Sequence, residues 1–429
     1  MERIILQLFI LFLIPHSIFC VDGYWEQRFP DNPPEGRSGH SMASIGERKV
    51  LLVGGIGCPV KYYSDTWLYD YDSNTWTEIK CIPFPEDNLY LQTMTQITKN
   101  RVLLLYHSSI PIDSTTGYEV IGMKTWLFDL DSMKWFELDR GILPKYLGNY
   151  GICNLSEGTV IYYMGSGLYA TLVGEIQNDN DFSSLFIDWR KYLSLLNGDI
   201  SPHPFPESNM YQHPKFVNMK SGEVLFIPEA NFDPIFTLYN SENNKWHRLK
   251  FGGISIATAS IWAASYSSIT DNIALRFGGA NSIGDDDSDT TYLIVYTPKD
   301  SIITYYEVKS SVKPLKHYFG AAARIDDSTV LQFGGYGYLG DYCLNETWIF
   351  HLTDKTDPLV SIEDDYLESA KIYNLENNIY KLENIRSAEL YNAIGNFIGK
   401  YENNARIDLN SLPRGVYILK IFGWQDAKN

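Results

Sequence analysis

A four-part unit recurs along this chain, and an internal repeat restricts the fold more than any single motif. The first unit reads Gly39-His40-Ser41-Met42-Ala43, then Val50-Leu51-Leu52-Val53-Gly54-Gly55, then Asp65-Thr66-Trp67-Leu68-Tyr69-Asp70, then Thr75-Trp76-Thr77-Glu78-Ile79. Each piece is short, apolar or alternating, and rich in β-branched and aromatic residues, which predicts four strands. Asp72-Ser73-Asn74 is a tight-turn tripeptide between the third and fourth. Trp67 and Trp76 recur 59 residues later as Trp126 and Trp135. The second unit holds strands near 102–106, 125–129 and 134–138, the fourth near 223–227, 236–239 and 245–249 with Trp246. The fifth has Phe277-Gly278-Gly279, residues 291–296 and residues 303–307; the sixth has Phe333-Gly334-Gly335 and Thr347-Trp348-Ile349. The third is divergent: residues 158–165 supply its second strand, and Asp188-Trp189-Arg190 falls where its fourth belongs.

The sixth unit has no fourth strand, because Thr353-Asp354-Lys355 and Pro358 follow its third. Tyr24-Trp25-Glu26-Gln27 looks like Lys245-Trp246-His247-Arg248. The N-terminal segment is therefore expected to complete the sixth unit, close a ring and leave no bare edge.

An apolar strand ending in Gly-Gly, a Thr-Trp strand and a second Trp six to ten residues on resemble the kelch repeat over residues 23–355. Gly-Gly stands in units one, five and six and is missing from two and four. The resemblance implies an all-β six-bladed kelch β-propeller at 22–357, closed by an N-terminal strand. Gly54, Gly55, Gly278, Gly279, Gly334 and Gly335 would let chains crowd near the axis. Trp25, Trp67, Trp76, Trp126, Trp135, Trp246 and Trp348 would pack between blades, each contributing about 1.5–3 kcal/mol or more by burial.

The ends have other characters. Arg3 and the apolar run from Ile4 to Ile14, stopped by Pro15, read as a secretory signal over 1–21, too short to span a bilayer. Beyond Pro358 alternating strands with Gly and Asn turns suggest a small Ig-like β-sandwich over 358–429. Asp408-Leu409, Leu412-Pro413, Gly415-Val416-Tyr417 and the closing Ile418-Leu419-Lys420-Ile421 resemble the type A C-terminal sorting domain of the type IX (Por) secretion system. This chain has Tyr373-Asn374-Leu375-Glu376 where that family carries Pro-Asn-Pro. The resemblance implies a Bacteroidetes-type bacterium, contact with the type IX machinery, and a secreted or outer-membrane cell-surface protein.

With 35 basic and 52 acidic side chains the chain carries a formal charge of −17, which opposes non-specific nucleic-acid binding. No further apolar run is long enough to cross a membrane. A monomer is expected, with no cofactor. The mature cysteines (58, 81, 153 and 343) form no zinc pattern. Cys58 could pair with Cys343 across the ring seam or with Cys81, whereas Cys153 sits in an apolar run and reads as a buried thiol.

In an up-and-down blade the loops between strands two and three share a face with the blade-to-blade connections. Those loops are long here: 56–64, 107–123, 228–235, 280–290 and 336–345. That face is therefore the expected binding surface. Its tyrosines, Tyr62, Tyr63, Tyr118, Tyr336, Tyr338 and Tyr342, offer a flat ring and a polar tip suited to protein or glycan. Arg37 and His40 lead into the first unit near the same face. Asp285, Asp287 and Asp289 form an acidic loop that could hold Ca²⁺ through oxygen ligands, although such runs are commonly just solvated. No catalytic pattern stands out; a binding protein is expected. The alternative is a sugar-active enzyme, since sialic-acid epimerases and galactose-oxidase-like copper enzymes share the repeat. An epimerase would need an acid/base pair with an arginine, a copper enzyme converging imidazole and phenol ligands.

Overall fold

The computed structural model describes residues 22–80, 89, 92–110, 120–138, 149–165, 170–177, 186–194, 215–227, 236–243, 245–252, 263–280, 289–337, 342–353, 371–376, 379–383, 387–392, 397–402, 406–408 and 417–422. Contacts divide the chain into residues 21–355 and a second unit holding residues 356–429.

The larger unit is built from antiparallel sheets in sequence order. Sheet one is Ser41–Ser44, Lys49–Val53, Thr66–Asp70 and Thr75–Glu78; sheet two is Thr93–Thr98, Arg101–Ile110, Val120–Asp129 and Lys134–Glu137. Sheet three is Asn149–Ser156, Thr159–Gly165, Ala170–Gln177 and Phe186–Ser194; sheet four is Lys215–Asn218, Glu223–Ile227, Thr237–Asn240 and Lys245–Arg248. Sheet five is Ser265–Ser268, Ile273–Phe277, Thr291–Thr297 and Ile302–Val308, with Lys250–Gly252 added in parallel at its outer edge. Sheet six takes Ala321–Asp326, Thr329–Phe333 and Thr347–Leu352, and its fourth strand is Gly23–Arg28 from the N-terminus, paired Trp25↔Phe350. The first strands of the six sheets touch one another in a closed cycle.

The core lies in layers between neighbouring sheets, so the second strands bury both faces while the outer fourth strands stay partly exposed. Ala43, Leu51 and Val53 pack on Val102, Leu104 and Trp135, joining sheet one to sheet two. Met42, Leu52 and Trp76 pack on Leu331, Phe333 and Ile349, joining sheet one to sheet six. The tight third-to-fourth turns are anchored by the residue ending strand three. Asp70 Oδ1 accepts from the amides of Asp72 and Ser73, Asp129 Oδ2 from Ser132, and Asn240 Oδ1 from Glu242.

The double glycines act between sheets. The Gly55 amide donates to the Leu89 carbonyl at 2.6 Å, Gly279 to His317 at 3.0 Å and Gly335 to Arg37 at 2.9 Å, each time the segment leading into the next sheet. Gly54, Gly278 and Gly334 hold φ between +64° and +71°, and a Cβ on any of them would lie 2.6 Å from that segment.

One expectation changes. The 107–123 stretch is not all loop: strands two and three of sheet two continue as a paired ribbon to Ile110↔Val120. Ser108-Ser109-Ile110 and Val120-Ile121 are compatible with extended backbone, and the two-stranded ladder hydrogen-bonds alternate residues. The segment around Trp189 is the fourth strand of sheet three.

The smaller unit has two three-stranded antiparallel sheets. One orders Lys371–Glu376, Ile379–Glu383 and Arg406–Asp408; the other has Ser387–Asn392 between Phe397–Glu402 and Tyr417–Phe422. Ala388, Leu390 and Ile407 are buried there. Among the described residues no helix is long and apolar enough to cross a membrane.

Candidate functional site

The six inner strands all start at the same end of the ring, the end where second strands stop and third strands begin. Their first residues surround an axial cavity of about 170 Å³. His40 and Ser41, Gln92 and Thr93, Gly151, Lys215, Ser265 and Tyr266, and Gly320 and Ala321 line it. Its rim is tied by backbone: Gly39 N–H donates to the Phe319 carbonyl at 2.8 Å, and Phe319 N–H to Ala263 at 2.9 Å. Phe319 and Ala263 both take φ +55°, the left-handed region that Gly39 occupies without a Cβ. The lining is polar. Gln92 Oε1 and Ser265 Oγ are buried and lack hydrogen-bond partners.

The sequence-selected residues divide between interior and surface. Arg37 is fully buried. Its guanidinium grips the Asp65 carboxylate through both oxygens, at 2.5 and 2.8 Å, and donates to the Gly54 and Glu35 carbonyls. Tyr63 lies beneath it, 4.1 Å from the guanidinium carbon to the ring centroid. The Tyr63 hydroxyl donates to Glu35 at 2.6 Å; burial, then this carboxylate, pushes the phenol up to about 12. Arg37 and Tyr63 thus hold the lead-in of sheet one to the loop after its second strand. His40 reaches the cavity wall but is itself buried, edge-on to Phe333. Burial, and secondarily the Arg37 charge, pushes its imidazole down to about 3, so it is neutral at pH 7.

Tyr62 and Tyr342 are the exposed members, 47% and 39% accessible. They sit on two short hairpins that the Cys58–Cys343 disulfide ties together, with the Cα atoms 5.4 Å apart. Cys81, the alternative partner, lies outside the described residues. Tyr336 is half-buried against Tyr318, ring centroids 5.2 Å apart. Tyr118, Tyr338, Asp285 and Asp287 lie outside the described residues; Asp289 pairs with Lys313 at 3.1 Å. Among the described residues no group of three or more His, Cys, Asp or Glu could hold a metal ion. Cys153 is a free buried thiol, pushed up to about 12 by burial.

Sequence reasoning passed over Lys215, Gln92, Ser265, Tyr266 and Arg276. A signal existed for the last. Arg276 stands two residues before the double glycine, where other units carry Leu52, Leu104 and Phe226. A second cavity, about 580 Å³, opens at the opposite end of the ring between the first hairpins of sheets two and three, lined by Lys99, Asn100, Arg101, Glu157 and Glu175.

No family model matches the chain. A 176-residue stretch is 27% identical to an F-box/kelch-repeat protein of Arabidopsis thaliana, covering 36% of this chain and 34% of that protein. A 182-residue stretch is 28% identical to Kelch domain-containing protein 10 of Xenopus tropicalis, covering 40% of each. The matches thus span about a third to two fifths of the relatives' length. Among solved structures, YjhT superposes with a TM-score of 0.50 at 12% identity, covering 74% of this chain and 95% of that one, a likeness of fold alone. The repeated strands, the antiparallel sheets they form, the kelch-repeat relatives and this structural neighbour together support a kelch β-propeller for the larger unit.

Proposed function

We propose that the chain is a secreted or cell-surface binding protein: a six-bladed kelch propeller that engages a protein or glycan through its long-loop face, followed by an Ig-like type IX sorting domain. The observation that carries the binding reading is the polar axial cavity on that face, where Ser265 and Gln92 present buried, unmatched oxygens. Exposed Tyr62 and Tyr342 extend a recognition surface beyond it. A disulfide across the ring seam fits an oxidising compartment and supports export. Binding is favoured over sugar turnover because His40, the imidazole among the cavity-lining residues, is buried edge-on to Phe333 with both ring nitrogens inaccessible.

The test is a thermal-shift and glycan-array screen of the full chain. A saturable ligand should be lost in Ser265→Trp, which fills the cavity, and weakened in Tyr62→Ala or Tyr342→Ala. A ligand whose affinity ignores all three variants would refute this face as the site. Removing 358–429 should abolish surface delivery in a host with the type IX machinery; unchanged delivery would overturn the sorting assignment.

A further inference from the structure

Sheet five breaks the rule of its own repeat on the side it turns toward sheet four. The strand-two position two residues before the glycine pair is Leu52, Leu104, Tyr162, Phe226 and Gln332 in the other sheets, and Arg276 here. Arg276 is 1% accessible, and its Nε and Nη1 have no hydrogen-bond partner. Its guanidinium carbon lies 5.2 Å from the Tyr292 ring centroid. Among the described residues no carboxylate pairs with it. The nearest in its cross-strand row, Glu307, stands exposed two strands away, on Ile302–Val308. A cation buried this way is unfavourable unless an anion or acceptors meet it. Departures from a repeat's packing rule with no compensating partner mark functional positions.

The inner neighbour of Arg276 in that row is Tyr266, which lines the axial cavity. Next to it, the Ser265 hydroxyl is buried without a partner. Lys215, on the adjoining inner strand, brings a second cation to the same wall. Lys215 and the Ser265 hydroxyl therefore line one side of the cavity, with Arg276 behind Tyr266 in the next strand, in a chain whose net charge is −17.

We propose that Arg276 anchors an oxyanion site in the sheet-five wall, receiving the carboxylate, sulfate or phosphate group of a ligand whose remainder occupies the axial cavity. Lys215 adds the second charge and Ser265 a hydroxyl donor. Guanidinium suits such groups because its planar donors match their oxygens. The inference rests on the cavity being the binding site.

The experiment titrates the full chain with sodium glucuronate, sulfate and phosphate, against chloride at matched ionic strength, and follows Tm. At least one oxyanion should raise Tm saturably while chloride does not; the three arms identify the anion class. Arg276→Met should lose that shift, yet without oxyanion melt at or above the wild-type temperature, since an unpaired buried charge is gone. Lys215→Met should weaken binding. Arg276→Lys, which keeps the charge without the planar fork, should fold and bind more weakly, and serves if the methionine variant does not fold. Wild-type binding by Arg276→Met overturns the proposal. So does an absence of any oxyanion shift in the wild type, even where a neutral glycan or protein still binds and the cavity reading stands. Oxyanion binding that persists while the glycan or protein ligand ignores Ser265→Trp would instead sink the cavity reading.

Discussion

The indole Nε1 of Trp25 donates to Thr291 Oγ1 at 2.8 Å. Trp76 makes the same bond to Thr347 and Trp135 to Thr66, both at 3.0 Å. In each case a fourth-strand tryptophan reaches the third strand of the preceding sheet. Trp25 does so although it lies at the start of the chain, so the first strand performs the duty of a last one. Between sheets four and five the pair is replaced in kind: Tyr305 stands for the tryptophan and Phe236 for the threonine, ring centroids 5.6 Å apart. Truncating Trp25→Ala should cost about 3–5 kcal/mol, and Trp25→Phe only part of that, about 1 kcal/mol for the bond plus lost packing. Urea unfolding midpoints measure both. Deleting residues 22–28 bares the edge of Thr347–Leu352 and should drive aggregation, visible by light scattering.

The disulfide reinforces the same seam from the loop face. Cys58 and Cys343 are 285 residues apart in sequence, so the bond restricts the unfolded chain strongly. Cys58→Ser should lower stability by about 2–4 kcal/mol. Cys153→Ser, at a buried free thiol, should leave the response to reductant intact. A wild-type protein whose unfolding midpoint ignores dithiothreitol would contradict this linkage.

Strand order was legible because each tryptophan and double glycine marks a fixed place in the unit; even Trp25 pointed to its partner strand through its likeness to Trp246. The site was less so. Arg37 and Tyr63 looked like surface ligands in the string, but their partner Asp65 is 28 residues from Arg37, and only folding brings the three together. The cavity is made by two to four residues from the start of each of six strands spread between positions 39 and 322, with no local signature. Arg276 could have been noticed by aligning the units column by column, since a charge in an otherwise uncharged column is visible in sequence.

Gly334 tests how closely neighbouring sheets approach. Its φ is +64°, and a Cβ would sit 2.6 Å from the Arg37 carbonyl oxygen and 2.7 Å from His40 Cε1. Gly334→Ala therefore combines backbone strain with a clash against backbone that the Gly335 bond holds in place. A loss of about 2–4 kcal/mol is expected, against under 1 kcal/mol for an alanine at an exposed turn residue such as Asp72. Chemical denaturation of the two variants compares them; equal small losses would show that the seam yields.

Acid sensitivity follows from two buried imidazoles. His317 donates from Nδ1 to the Leu315 carbonyl at 2.7 Å and accepts at Nε2 from the Gln332 amide at 3.0 Å, an arrangement that needs the neutral ring. Burial pushes it down to about 4, and burial with the Arg37 charge pushes His40 down to about 3. In the unfolded chain both titrate near 6.5. As pH falls below about 6.5 the unfolded state takes up these protons and the folded state does not, so stability falls with pH until about 4. The slope should approach 1.4 kcal/mol per pH unit for each histidine. Carboxylates held low by partners, such as Glu35 beside Lys61, contribute only below about pH 4.5, leaving the upper window to the histidines. Urea unfolding at pH 7.0, 6.0 and 5.0 measures the slope, and His317→Gln should roughly halve it. A flat profile between pH 6.5 and 5 would mean that these rings are already solvated in the native protein.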